Sequence, residues 1–423
     1  MENHNSHAMV IEKYAIGLFI LLNIVILYPG SLSGIYTYIP QIIVGFVAVY
    51  AMLKVKMNIQ TRYFLIFGMY MLVMSIFFSI INGTSILLTL RSSLRLFYPF
   101  LAIIIGSFFS KKISPKSLLY ILLIFLLFES IVSFLQFNNV LFREWSFNIY
   151  RSEDTANRYL NSFSFSTGQR AIGTFGNPNT LGLTFIVLNS SIILLSDLLK
   201  GKRIKMAINI ISILTSIYVI VNTQSRTSIL LYVFVIAIIF YWKFSKRGKN
   251  NAIFLIVSSI VAVLLFMFIQ SNINRDISVS ALYSRFDIWG IRISQMFDYV
   301  EYEGFFAVVL GGGFQMARSF GFFDNTYLKI FVSGGIIGLL IFFMVINSIY
   351  KGIRRIKRVE YRHLAWVLFF TWLIGSMLVE YQEIFKLSTI TFILLGYTLY
   401  SDKKDNDSII TASRNNNFLG DRI

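Results

Sequence analysis

The stretch RAIGTFGNPNTLGLTFIVLNSSIILLSD, residues 170–197, runs a polar turn straight into an apolar segment long enough to cross a bilayer as a helix. In its first half, Gly176-Asn177-Pro178-Asn179 is turn chemistry. Gly and Asn accept positive φ, Pro fixes its own, and Asn177 or Asn179 can cap the helix that follows. Arg170 then stands beside a helix start, where backbone N–H groups and a fixed cation together suit an anionic ligand. The plainer reading is a loop that enters a helix.

Outward from that stretch the chain keeps the same character. Its 423 residues are 56% hydrophobic, 17% aromatic and 14% charged, with a mean hydropathy of +0.69. Such a composition belongs to an integral membrane protein, and no soluble domain fits between the apolar runs. About twelve spans are expected, near residues 14–29, 38–53, 63–81, 92–109, 118–136, 180–197, 206–221, 228–242, 252–270, 327–349, 364–379 and 385–400. The first run follows Glu12 and Lys13 and lacks a small-residue cleavage site, so it reads as a retained span. The chain has no Cys, which excludes disulfides, thiolate metal sites and a Cys nucleophile.

A net charge of +18 in a soluble chain would point to nucleic acid. Here the cations fall in short loops on alternate sides of successive spans. Lys54, Lys56 and Arg62 share one loop, and Lys111, Lys112 and Lys116 the next. Lys200, Lys202, Arg203 and Lys205 follow, then Lys243, Lys246, Arg247 and Lys249, and last the cluster from Lys351 to Arg362. This is the positive-inside pattern, and with an even number of spans it places both termini in the cytoplasm. One transmembrane domain, residues 1–400, with a cytoplasmic tail at 401–423, is the expected organisation.

The opposite side has two long loops, about 137–179 and 271–326, in which little regular structure is expected and function is concentrated. Their cations are all Arg: Arg143, Arg151, Arg158 and Arg170 in the first, and Arg275, Arg285, Arg292 and Arg318 in the second. Arg226 belongs to the short turn between them, and none of the three contains Lys. The guanidinium fork grips phosphate bidentately and stays charged when partly dehydrated, so the set points to a phosphate-bearing ligand. The competing reading pairs these Arg residues with neighbouring acids such as Glu144, Asp287 and Glu301 to pin the loops.

Smaller motifs fall on the same side. Thr223-Gln224-Ser225-Arg226-Thr227-Ser228 is a capped turn or a hydroxyl and guanidinium contact to phosphate or sugar. Trp289, after Arg285, is an interfacial anchor or a stacking platform for a sugar. Gly311-Gly312-Gly313 lacks the Lys-Ser/Thr of a phosphate loop and reads as a flexible turn. Asp324 and Asn325 precede a span containing Gly334, Gly335 and Gly338, and Asp324 is either a base or a helix cap. Arg91 and Arg95, four apart, are expected on one face at the outer end of the fourth span. Glu129, Glu380 and Glu383 lie in or at the ends of spans, where an ionisable group is a candidate for function or a partner holding the bundle.

Taken in order, these segments resemble the O-antigen polymerase and ligase superfamily of multi-span bacterial proteins. The matching residues are Arg170 with Gly173-Thr174-Phe175-Gly176-Asn177-Pro178-Asn179 and Gly182, then Ser225-Arg226-Thr227, Arg285 with Trp289, and Gly311-Gly312-Gly313 followed by Asp324-Asn325 and Tyr327-Leu328. They cover residues 170–340, while the amino-terminal third matches in hydropathy alone. Ligases of the superfamily carry a His just before the Asn of the His-Asn segment, where this chain has Asp324. Its three His residues, His4, His7 and His363, all fall on the cytoplasmic side, so no His base is available outside. Eleven residues separate Arg170 from Gly182, one more than the Arg-to-Gly spacing of the polymerases.

The resemblance implies an all-α bundle of the lipid-dependent glycosyltransferase type, acting at the outer face of the bacterial cytoplasmic membrane. Its activity would be polymerisation of undecaprenyl-diphosphate-linked oligosaccharide units; a ligase of the same superfamily, or a flippase of lipid-linked oligosaccharides, is the alternative. In that reading Asp324, Arg285 and Glu383 are catalytic candidates. Arg170, Arg226, Arg285, Arg91, Arg95, Asn177, Asn179, Asn325 and Trp289 bind diphosphate or glycan. The lipid diphosphate is itself the activated leaving group, so no nucleotide, cofactor or metal is expected. Partners would be membrane lipid, a flippase and a chain-length regulator.

Overall fold

The computed structural model describes residues 2–28, 38–150, 170–245, 280–321, 323 and 325–401. Among these residues all regular structure is helical. The longer helices are α1 (Glu2–Leu27), α2 (Ile39–Lys54), α3 (Ile59–Ile81), α4 (Ile86–Leu94), α5 (Tyr98–Lys112), α6 (Pro115–Asn138) and α7 (Val140–Tyr150). They continue as α8 (Pro178–Leu195), α9 (Lys202–Thr223), α10 (Arg226–Ser245), α11 (Ser280–Glu303), α12 (Phe305–Leu310), α13 (Gly313–Ser319), α14 (Thr326–Arg354), α15 (Val359–Ser376) and α16 (385–401). The expected span at 252–270 and the tail beyond residue 401 lie outside the described residues.

Six helices are long and apolar enough to cross a bilayer: α3, α6, α8 with its extension to Leu198, α9, α10 to Lys243, and α14. Their outward faces carry large apolar side chains, Ile66, Val73, Ile124, Ile131 and Leu214 among them, at half or more of full exposure. A soluble protein does not present such a belt, whereas lipid requires one. The chain is a helical membrane protein.

α8 is the hub. It is apolar on every side, and every residue on it from Thr180 to Leu195 is buried between α6, α9, α10 and α15. Small side chains let its neighbours approach closely, since Ser228 fills the space a Cβ on Gly182 would occupy. Deeper in the bundle Asn189 donates to Ser212 Oγ at 2.6 Å and accepts from the Tyr232 hydroxyl at 3.2 Å, so its amide joins α8, α9 and α10. Gly106 of α5 and Gly396 of α16 meet in the same manner, each against the other helix's backbone.

Three expectations change. The span near 92–109 is broken by a 3-10 turn at Arg95–Phe97, because Pro99 has no N–H to extend an earlier helix and instead opens α5. Arg91 and Arg95 therefore sit in successive elements. The long loops contain helix, α7 in the first and α11 to α13 in the second. Finally, Gly311-Gly312-Gly313 is a packed crossing rather than a loose turn. Gly311, at φ 79°, lies against the backbone of Gly334 and Gly335, with no room for a side chain.

At that crossing α14 is interrupted, with Gly335 at φ 62° and ψ −163°. A break inside an apolar helix strands backbone groups that lipid cannot satisfy. Protein supplies the partners: the Tyr70 hydroxyl donates to Gly334 O at 2.8 Å, and Gly312 N–H donates to Val332 O at 2.8 Å.

Alternating helix directions gather the connections at two ends. At the Lys-rich end Glu12 accepts from Ser114 N–H at 3.2 Å, the Tyr397 hydroxyl donates to Ile113 O at 3.0 Å, and Gln60 donates to Ser348 O at 3.3 Å. Lys205 and Lys243 there share Asp197. The other end collects the motifs of residues 170–182, 223–228, 323–329 and 380–386.

Candidate functional site

The segment 170–177 is built into the polar end by three clasps. Arg170 Nε donates to Thr223 O at 2.7 Å, its Nη2 reaches Asn179 Oδ1 at 3.5 Å, and Ala171 N–H donates to Asn222 O at 2.9 Å. Asn177 caps α8, its Oδ1 accepting from Asn179 N–H at 2.8 Å and Thr180 N–H at 3.4 Å. Gln224 takes the left-handed conformation at φ 49°, which ends α9 and turns the chain into α10. Ser225 Oγ then accepts from Ser228 N–H at 3.3 Å, and Ser228 Oγ donates to Asn179 O at 3.4 Å. Two motifs joined by bonds that span 53 and 49 residues of sequence thus form one surface, with half-buried Arg226 as the first residue of α10. Arg170 is first of all a clasp between the two turns.

Below this surface lies a buried constellation. Glu129, fully buried on α6, accepts from Thr174 N–H at 3.1 Å and from the Thr174 hydroxyl. Lys386, in the first turn of α16, donates to the carbonyl of the same Thr174. The ammonium lies 5.2 Å from the ring centroid of Tyr150 and 5.5 Å from that of Phe175, favourable to a cation. Gln136, about two turns further along the same face of α6, accepts from Ile172 N–H at 3.1 Å and Gly173 N–H at 2.8 Å, and donates to Gly173 O at 3.0 Å. Residues 172–174 are held by α6 and α16 together, and Gly173 at φ 53° has no space for a Cβ against Glu129. Burial first, and the Glu129 carboxylate second, push the Tyr150 phenol above its ordinary range, so this residue stays neutral.

Beside it is a cleft between α14 and the turn Tyr381–Glu383. Asn325 caps α14, accepting from Leu328 N–H at 3.1 Å. Thr326 Oγ1 donates to Val379 O at 3.1 Å and accepts from Tyr381 N–H at the same distance, which fixes the turn on the helix. Lys329 and Glu380 pair at 2.6 Å, and Glu380 also accepts from Phe323 N–H at 3.2 Å. The 3-10 turn carrying Arg95 packs against Tyr381–Glu383, and Leu96 lines the cleft.

The expected residues therefore divide. Arg170, Asn177 and Asn179 come together beside the turn from which Arg226 opens α10, whereas Asn325 caps α14 and Arg95 lies on the 3-10 turn that packs against Tyr381–Glu383. Trp289 lies on α11, edge-on to Phe286 at 5.3 Å. Asp324, and the side chains of Arg91, Arg285 and Glu383, lie outside the described residues. Arg143 is tied to the backbone: its Nε donates to Gln136 O at 2.7 Å and its Nη2 to Phe137 O at 2.9 Å, closing the end of α6. Burial lowers its pKa, an effect that neighbouring Glu144 opposes.

Gln136, Lys329, Gln382 and Lys386 were not singled out in the sequence. The signal for the two Lys residues was present, since each opens a span at an end whose loops hold Arg alone. The Gln residues carry no comparable sign.

No family model matches the chain, and no curated protein matches it.

Proposed function

We propose that the protein is a polymerase of undecaprenyl-diphosphate-linked oligosaccharide units, working at the outer face of a bacterial cytoplasmic membrane. In this reading twelve spans place both termini in the cytoplasm and the Arg-bearing end outside. What supports it most is the joining, at one end of an apolar bundle, of two distant motifs that the superfamily resemblance selects, Arg170 with Asn179 and the Thr223–Ser228 turn that contains Arg226.

The reaction needs little apparatus. A hydroxyl oxygen of the acceptor unit forms a new C–O bond to the anomeric carbon of the growing chain. The bond from that carbon to the diphosphate breaks, the diphosphate leaves with the electron pair, and the hydroxyl proton passes to a base. Negative charge develops on the diphosphate, and Arg170, Arg226 and Arg285 are the candidates to stabilise it. Asp324 and Glu383 are the carboxylates for the proton. Lipid-exposed faces would receive the polyprenyl tails.

A flippase remains the second reading because α14 is broken at Gly335, a feature of transporters. Its freed backbone groups are closed by Tyr70 and Gly312, however, and the ion pairs of Asp197 and of Lys329 lie towards the two ends of the bundle rather than at this break.

The test is gel analysis of surface glycan and lipid-linked intermediates in a deletion strain. Single units outside the cell, with no ladder, are the expected result. Complete polymer trapped on the lipid carrier would indicate a ligase, and single units trapped inside would indicate a flippase.

A further inference from the structure

We propose that the hairpin of α14 and α15 seats an anionic phospholipid of the leaflet at the Lys-rich end, its phosphate held by Arg354 and Arg355. The chemistry of the turn sets it apart. Other loops at that end carry mainly Lys, as at Lys111, Lys112 and Lys116 or Lys200, Lys202, Arg203 and Lys205, and Lys is enough to orient a chain in a membrane. Residues 351–362 instead hold Lys351, Arg354, Arg355, Lys357, Arg358 and Arg362, and Glu360 is the single acid of the whole hairpin from Thr326 to Ser376. Arg is the side chain whose fork fits a phosphate.

These cations stand on a built turn. Only residues 355–358 separate the two helices. Arg355 N–H donates to Gly352 O and Ile356 N–H to Ile353 O, both at 3.1 Å, and Arg362 N–H donates to Arg358 O at 3.0 Å. Beneath them Ile353, Ile356 and Tyr361 are buried, and Gly352 packs against Gln60 of α3 and Leu399 of α16. Lys351, Arg354 and Arg355 are exposed above this support, and their spacing of three and four residues puts them on one face of the end of α14.

That face continues into the bilayer and selects the occupant. Leu340, Phe343 and Met344 follow it at about half exposure. Phe343 lies eleven residues, about 16 Å, before Arg354, which is the hydrocarbon depth of one leaflet. Between them the Arg354 guanidinium lies 5.8 Å from the Tyr350 ring, Tyr350 is edge-on to Trp366 of α15 at 5.5 Å, and Trp366 stacks on Phe370 at 5.3 Å. Such aromatic rings belong at headgroup level. A free phosphate would engage the cations and leave the aromatic and apolar face idle, whereas a phospholipid uses both. A zwitterionic head brings its own cation to the phosphate; a phosphatidylglycerol head leaves that charge to the protein.

The seat is independent of the glycan chemistry and of the side that the Lys-rich end faces. Full-length chains in a neutral detergent are titrated with phosphatidylglycerol, phosphatidylcholine or inorganic phosphate, with bound lipid counted by native mass spectrometry and thermal melting recorded in parallel. Wild type should retain phosphatidylglycerol and melt higher with it, with no comparable gain from the other two. Arg354→Gln with Arg355→Gln should weaken phosphatidylglycerol binding about tenfold or more. Arg354→Lys with Arg355→Lys keeps the charge needed for insertion and should weaken binding by a smaller factor. Lys200→Gln with Lys202→Gln, the same loss of charge at the same end, should bind as wild type does. Equal binding of the two lipids, or an equal loss in the Lys200 and Lys202 variant, would reduce the turn to diffuse charge and overturn the seat. Unchanged binding in the Arg-to-Lys pair, or a melting gain from inorganic phosphate as large as that from phosphatidylglycerol, would overturn it as well.

Discussion

The two ends of the bundle hold their charges differently. At the Lys-rich end, Asp197 shares Lys205 and Lys243, and all three side chains remain a fifth to a third exposed. At the other end Glu129 is fully buried, and it and Lys386 converge on the backbone and side chain of one residue, Thr174. Exposed charges of the first kind orient a chain in a membrane and contribute little to its fold. Charges of the second kind fix a loop, and the loop they fix is the one that presents Asn177, Asn179 and the Arg170 clasp.

The widest gap between the ends should appear on deleting an acid. Glu129→Ala leaves Lys386 without its buried counter-charge and Thr174 N–H without its acceptor, and should cost about 3–5 kcal/mol, read as a large fall in melting temperature or folded yield. Equal losses in Glu129→Ala and Asp197→Ala would dissolve the contrast. Gly335→Ala should cost at least ~1–3 kcal/mol from the left-handed φ alone, with a further loss from the clash against Val309 O. Melting of the purified protein checks it. Arg226→Lys keeps the charge and loses the fork, so polymer should fall about tenfold or more with normal membrane insertion; wild-type chain length would remove Arg226 from the diphosphate. At the Lys-rich end Asp197→Ala should cost under about 1 kcal/mol, since its partners remain solvated.

The helices were legible because lipid imposes a simple demand: each crossing needs an apolar run and closed backbone hydrogen bonds. α3, α6, α8, α9, α10 and α14 all fall on expected spans. Pro99 was visible inside the expected fourth span, and its effect on Arg91 and Arg95 follows from the missing N–H. Asn177 was identifiable as a cap, as turn chemistry dictates, whereas the cap of α14 expected at Asp324 is Asn325, one residue on. The buried polar interior was legible only in part. Glu129 stood out as an ionisable residue in an apolar run, but its partners Thr174 and Lys386 are 45 and 257 residues away, and no local pattern joins them. Helix inside the long loops was hidden because α7 and α11 mix charge with aromatic residues and show no long apolar run.

The account depends on the Arg-bearing end facing outward, and the absence of Cys in the native chain makes that directly measurable. Asn82 and Lys202 are exposed residues at opposite ends of the bundle. Single-cysteine chains, Asn82→Cys and Lys202→Cys, would be treated in intact cells with a membrane-impermeant maleimide, and again after lysis. Labelling of the Asn82→Cys chain in intact cells, and of the Lys202→Cys chain only after lysis, is the result this account predicts. The reverse pattern would put Arg170 and Arg226 in the cytoplasm, and would contradict it.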